Sequence, residues 1–252
     1  MLQKAVFSKN FRILVEQLRT APEEFNDPVP LVLQETNVPQ FTPRIQFLLD
    51  RVPEGARVLD LGSGKGEVAF FLKSKKRASV VCIEREPEYV TLCREKGLKV
   101  IDADLNHLDG PALRWALSQR WDVAIIIDSL NYWSYPALIL SALSDRVGKV
   151  LVTIANGGHI RKRLEILAGK MPLWPNTRPR SQKDNVLEFD LSWSNQIWTL
   201  QGFGRWAEAL GYHAELLGRR TSGAVYKKPG LFPSLLARGF VLELTPKEVL
   251  PI

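Results

Sequence analysis

Three glycines alternate in the stretch Val58-Leu59-Asp60-Leu61-Gly62-Ser63-Gly64-Lys65-Gly66-Glu67. An apolar run precedes them, and Val68, Ala69, Phe71 and Leu72 follow at helical spacing. The glycines therefore fall in a strand-to-helix turn. Glycine accepts φ > 0 and carries no Cβ, so a ligand can lie directly on such a backbone. The pattern is G-x-G-x-G. In the dinucleotide fingerprint G-x-G-x-x-G the third glycine lets a pyrophosphate reach a helix N-terminus. Glu67 holds that place here, and its carboxylate disfavours a pyrophosphate. No G-x-x-x-x-G-K-[ST] phosphate loop is present either. The ligand expected is one without phosphate that still needs close backbone approach, and S-adenosylmethionine fits. The alternative is a tight strand–helix turn with no ligand.

Four carboxylates follow the same logic. Asp60 closes the first apolar run, where it can accept hydrogen bonds from an ammonium group. Glu84 lies about 20 residues beyond the loop, where an acidic residue can hold both ribose hydroxyls. Asp104, with Leu105, follows the third run and could take an adenine amino group. Asp128 ends the fourth, where it is either a ligand or simply a polar strand end. The cofactor-binding set expected is thus Asp60, Gly62, Ser63, Gly64, Gly66, Glu84, Asp104, Leu105 and Asp128.

Methyl transfer from a sulfonium is a displacement at carbon, so the protein must mainly align the nucleophile and exclude water. A general base helps only where the nucleophile is protonated at neutral pH. The candidates are His159, Asp128 and Tyr132. His159 can equally be a capping residue at the start of a helix over Arg161–Leu167. Asn131, His159 and Arg161 are the substrate-side residues expected from their places in the chain. The run Asn131-Tyr132-Trp133-Ser134-Tyr135 departs from the Asn/Asp-Pro-Pro-aromatic motif of amino-nitrogen methyltransferases. Its aromatics either line a small-molecule pocket or pack on the sheet.

Positioning these groups requires strands that end side by side. Apolar runs begin at Arg57, Ser79, Lys99, Val123 and Lys149, separated by helix-length segments. That alternation predicts βαβ units and a mostly parallel sheet covered on both faces. A helix over 203–210 follows, and Ala214–Leu217 and Gly239–Leu244 read as late strands forming an antiparallel hairpin. The fold class expected is α/β: a Rossmann-like, doubly wound sheet of about seven mostly parallel strands. Residues 7–19 form an amphipathic N-terminal helix, and prolines at 22, 28, 30, 39 and 43 interrupt the chain after it. Thr42-Pro43 is an N-cap and first-turn pair. The domain reading is 1–41 as helix and Pro-rich linker and 42–252 as one domain, with 158–200 a substrate-side insertion.

At these residues the chain resembles class I S-adenosylmethionine-dependent methyltransferases, over roughly Thr42 to Leu244. Within them it is similar to the MetW family of methionine biosynthesis. Asn156-Gly157-Gly158-His159-Ile160-Arg161-Lys162-Arg163-Leu164 and Gly169-Lys170-Met171-Pro172 carry that similarity. The resemblance implies cofactor contacts at Asp60, Gly62, Gly64, Glu84, Asp104 and Leu105, with Asn156 and His159 toward the substrate. It also implies a link to homoserine O-acetyltransferase as protein partner. The chain departs from the family in a longer N-terminal segment, in Asn195-Gln196-Ile197, and through the tract Trp174–Trp198.

Composition narrows the rest. The 252 residues are 45% hydrophobic and 24% charged, as in globular proteins. Cys82 and Cys93 with three histidines support neither a disulfide framework nor a zinc site, so no metal is expected. No apolar stretch approaches the ~20 residues of a membrane span. Lys4, Lys9 and Arg12 interrupt any secretory signal, and Glu16 counts against a mitochondrial presequence. The expected location is the cytoplasm. The net charge is +7, and 158–183 holds seven basic side chains against Glu165. Such a cluster is a solvated face, a site for a small anionic acceptor or acidic partner, or a nucleic-acid surface. With few basic residues and no appended RNA-binding module, nucleic acid ranks last. Three functions follow in order. The first is a methyltransferase for a small acidic acceptor, and the second a cofactor-binding regulator of an acyltransferase. The third is an RNA or protein methyltransferase.

Overall fold

A computed structural model describes residues 9–22, 39–169, 198–220, 226–227 and 232–247. In chain order the elements are α1 (Lys9–Arg19), α2 (Pro43–Leu49), β1 (Arg57–Leu61), α3 (Glu67–Lys76), β2 (Ser79–Glu84), α4 (Pro87–Glu95) and β3 (Lys99–Asp102). Then come α5 (Pro111–Ser118), β4 (Trp121–Ile127), a 3₁₀ turn (Leu130–Tyr132), α6 (Pro136–Leu143), β5 (Val147–Ala155) and α7 (Ile160–Leu167). The last are α8 (Leu200–Ala209), β6 (Tyr212–Arg220), β7 (Tyr226–Lys227), α9 (Pro233–Leu236) and β8 (Gly239–Pro246).

The strands form one sheet in the order β3-β2-β1-β4-β5-β8-β6-β7. β1 to β5 pair in parallel, and β8, β6 and β7 run antiparallel to their neighbours. This is the class I methyltransferase architecture expected, with the two-residue β7 as an eighth strand at the edge. Strand order reverses between β1 and β4, and open α/β sheets bind ligands at the carboxyl ends beside such a reversal.

Side-chain alternation along each strand divides the core into two layers. Leu59, Leu61, Val81, Ile83, Ala124 and Ile126 face α5, α6 and α8. Val58, Val80, Cys82, Val123 and Ile125 face α2, α3 and α4. Asp60 shares the second face, beyond the last apolar layer.

The local chemistry matches these elements. Thr42 Oγ1 accepts from the Ile45 N–H, and Pro43 opens α2. Lys73, Lys75 and Lys76 fill the last turn of α3, where cations complement the helix dipole. The N-terminal helix is part of the main core rather than an appendage. Val15 and Leu18 are buried in the α5/α6 layer, and Arg19 donates to the Ser141 and Ala142 carbonyls and pairs with Asp145. This docking lies on the sheet face away from Asp60. Most of the Pro-rich linker, and 170–197 of the expected insertion, lie outside the described residues.

Candidate functional site

The glycine loop is tied to the neighbouring strand. Gly62 and Ser63 N–H both donate to the Ile83 carbonyl, at 2.9 and 3.2 Å. Gly62, Gly64 and Gly66 have φ of 79°, 55° and 71°, the left-handed region that other residues enter at a cost. Their surroundings differ. A Cβ on Gly62 would lie 2.7 Å from Ser129 Cβ, and one on Gly64 would meet nothing within 4 Å. A Cβ on Gly66 would lie 2.7 Å from Leu98 Cδ1 and 2.8 Å from Cys93 Sγ. Gly64 is thus the open face of the loop. Gly66, expected among the ligand contacts, is packed closely against Leu98 and Cys93. The Ser63 hydroxyl turns inward too, 3.8 Å from Cys93 Sγ.

The acidic groups have equally distinct settings. Asp60 is 2% exposed, and its carboxyl has no hydrogen-bond partner among the described residues. Burial, and then the nearby Cys93 and Glu84, raise its pKa well above the usual carboxylate range. Glu84 is also buried, but well supplied with donors. Its Oε2 accepts from Gly64 N–H at 2.7 Å, and its Oε1 from Arg85 and Glu86 N–H. It therefore shapes the glycine loop besides facing any ligand. Asp104 accepts from Asn106 N–H and pairs with Arg85. The Leu105 side chain lies in the core, which leaves only its backbone for a ligand.

Asp128 follows β4 in the left-handed conformation, φ 55°. Its N–H donates to Thr153 Oγ1, and that hydroxyl donates back to its carboxylate at 2.8 Å. Arg44 reaches the same carboxylate at 2.7 Å and Arg220 at 3.3 Å. With three donors on its carboxylate, Asp128, one of the bases expected, anchors two guanidiniums. Together Thr42, Arg44, Asp60, Gly62, Gly64, Lys65, Glu67 and Asp128 wall a cavity of about 290 Å³. A second, of about 620 Å³, lies toward β3 among Arg85, Pro87, Ala103, Asp104 and His107.

The expected substrate-side residues divide. Asn156 is 2% exposed. Its amide donates to the Ser234 and Ala237 carbonyls, and its Oδ1 accepts from Gly158 N–H. It fastens the end of β5 to α9 and does not face a substrate. His159 takes the alternative role: its Nδ1 accepts from Arg161 N–H and caps α7. Burial, Arg238 and Arg161 lower its pKa, which favours the neutral imidazole. The cap engages Nδ1, one of the two ring nitrogens. Arg161 sits exposed in the first turn of α7. Asn131 and Tyr132 lie on the 3₁₀ turn after Asp128, and Asn131 Oδ1 is buried without a partner among the described residues. Trp133 packs in the core, and Tyr135 is exposed.

Four contributors have no signal of their own in the sequence. Arg44 reads only as part of a helix start. Ser129 donates to the Leu61 carbonyl and fills the space that Gly62 leaves. Thr153 lies inside an apolar run, and Arg220 is 92 residues from its partner.

The family model described as "Methionine biosynthesis protein MetW" matches residues 43–180, more than half of the chain. The chain belongs to the MetW family. Solved structures agree on the fold of this MetW-family chain. A TehB-like SAM-dependent methyltransferase from Corynebacterium glutamicum ATCC 13032 Kitasato superposes with a TM-score of 0.52 at 14% identity, over 82% of this chain and 89% of that one. Magnesium protoporphyrin IX methyltransferase from Synechocystis PCC 6803, solved with bound SAH, gives 0.53 at 14% identity, over 81% and 80%. Likeness at this level establishes architecture. The comparison with curated proteins finds no match. Among the described residues no helix is long and apolar enough to cross a membrane, and no group of side chains could hold a metal ion.

Proposed function

We propose that this MetW-family protein is an S-adenosylmethionine-dependent methyltransferase for a small acidic acceptor, working in the cytoplasm. The observation that carries the reading is the unpartnered, buried Asp60, which lines one cavity together with Arg44, Gly62 and Gly64. A buried carboxylate without a partner is costly unless a cation completes it. An α-amino acid group offers an ammonium to Asp60 and a carboxylate to Arg44. The cofactor therefore fits this wall. Glu84 and the Asp104–Leu105 backbone stand where ribose and adenine would follow.

Bound here, the cofactor supplies a methyl group already activated by positive sulfur. The chain's own part is to hold and align. Asp60 and Arg44 fix the amino-acid end, and the Gly64 backbone lets it approach. Thr153 and Asp128 brace Arg44 and Arg220 at the mouth. With His159 and Asp128 both engaged, the arrangement suits an acceptor that is already ionised.

A second reading is a cofactor-binding regulator of homoserine O-acetyltransferase. It is favoured by α7, which buries none of its residues and exposes Leu164, Ile166 and Leu167.

Calorimetric titration of the purified chain with S-adenosylhomocysteine tests the shared step. Micromolar or tighter binding is expected. A folded protein that binds none overturns the cofactor assignment.

A further inference from the structure

Arg220 ends β6 yet reaches a carboxylate beyond β4. Two strands, β8 and β5, lie between. Its path is visible in the register, where Arg220 pairs with Gly239 and Gly239 with Ala155. A Cβ on Gly239 would stand 3.4 Å from Arg220 Nε and 2.7 Å from the Ile154 carbonyl. The missing side chain opens a track across the sheet end, and the guanidinium lies along it. Only Nη1 meets Asp128, at 3.3 and 3.5 Å. Nε and Nη2 have no hydrogen-bond partner among the described residues, and the side chain remains 28% exposed. Asp128 itself holds a positive φ, a conformation that Asp adopts more readily than most residues.

We infer that Arg220 is the acceptor-anchoring residue: its free guanidinium edge takes an oxyanion of the substrate, a carboxylate or a phosphate, while Asp128 holds the other corner in place. The planar fork of arginine accepts such a group in bidentate fashion. Arg44 lies against the cofactor cavity with its Nε buried and unpartnered, so it serves the amino-acid end. Arg220 is not among the residues that line that cavity and reaches Asp128 from β6. Its cation attracts an ionised acceptor toward the mouth, and such an acceptor needs no base. The inference rests on the methyltransferase reading and specifies its substrate class.

The test is oxyanion titration of the full chain, at constant ionic strength, with and without saturating S-adenosylhomocysteine. The probes are acetate, succinate and inorganic phosphate. Wild-type protein is expected to bind at least one in the millimolar range. Arg220→Gln should weaken that binding at least tenfold and leave S-adenosylhomocysteine affinity unchanged. Arg220→Lys should recover only part, because the charge returns without the fork. Arg77→Gln removes the same charge at a surface position 84% exposed and should change nothing. Preference for succinate or acetate identifies a carboxylate acceptor; preference for phosphate identifies a phosphorylated one. Equal binding by wild type and Arg220→Gln, an equal loss in Arg77→Gln, or no binding by any probe overturns the inference. If S-adenosylhomocysteine fails to bind while Arg220-dependent anion binding persists, the cofactor reading falls and the anion site stands.

Discussion

Replacing Asp60 by Asn separates a ligand carboxylate from a structural one, because the two effects have opposite signs. In the ligand-free protein the carboxylate is buried, without a partner, and its pKa is raised. Its ionised form therefore opposes folding. Stability from this group is complete below the unfolded carboxylate range and is lost as pH rises through the folded value. Asp60→Asn removes that loss and keeps the shape. A gain of about 1 kcal/mol at pH 7 would raise Tm by roughly 2–4 °C for a chain of this size. The gain should vanish at low pH, where the wild-type carboxyl is protonated. Ligand binding should move the other way. A hydrogen bond between a carboxylate and an ammonium contributes about 1.5–3 kcal/mol, so S-adenosylhomocysteine affinity should fall about 10- to 150-fold. Wild-type affinity should also tighten as pH rises through the raised Asp60 value, with proton release on binding, and the variant should lack both. Calorimetry in two buffers of different ionisation enthalpy measures affinity and proton release together, and thermal unfolding reads the stability arm. An Asp60→Asn protein with undiminished affinity refutes the assignment of Asp60 to the ligand.

The glycine loop yields two contrasting expectations. Gly64→Val should abolish S-adenosylhomocysteine binding by placing a branched side chain in open space. The left-handed φ should add about 1–2 kcal/mol of destabilisation; unchanged affinity by calorimetry would remove the loop from the site. Gly66→Ala drives a methyl into Leu98 and Cys93 and should cost about 1–3 kcal/mol of stability in thermal or urea unfolding. Adding Cys93→Ala should restore part of it; a Gly66→Ala protein of full stability would contradict the packing role. Asn156→Ala breaks the β5–α9 fastening and should lower stability by about 2–4 kcal/mol, since it leaves two carbonyls and one N–H without their buried partner. S-adenosylhomocysteine affinity should stay at the wild-type value, and a selective loss of affinity with full stability would return Asn156 to the substrate side.

The acidic groups and glycines of the proposed cofactor wall were legible because each is a local feature of a strand end. Apolar runs set β1 to β4, and the residue that follows the last apolar position must emerge at the sheet's carboxyl edge. Glu84 and Asp128 are placed by that rule alone, and Asp60 lies one residue before the end of its run. The alternation of glycines marks positions of positive φ, and all three have it. What each glycine makes room for was not legible. Gly62 yields to Ser129, 67 residues on, and Gly66 to Cys93 and Leu98, while Gly64 faces open space. The same short pattern serves packing and ligand approach, and only neighbours distant in sequence distinguish them.

The mouth of the site depended on tertiary structure almost entirely. Asp128 could be placed at a strand end from its own run, but its use could not. Arg44 arrives from α2 and Arg220 from β6, across chain separations with no periodicity to reveal them. The same holds for Asn156 and His159. Their residue types suit a substrate site, yet two carbonyls and the Gly158 N–H engage the Asn156 amide and the Arg161 N–H takes His159 Nδ1. The order of apolar and polar residues determined the parallel sheet and the edge where acidic groups collect, because strand periodicity is a property of adjacent positions. Only the folded chain decided which of those groups are already satisfied. A side chain's partners are set by which strand ends and helices meet, and that meeting is decided by long-range packing.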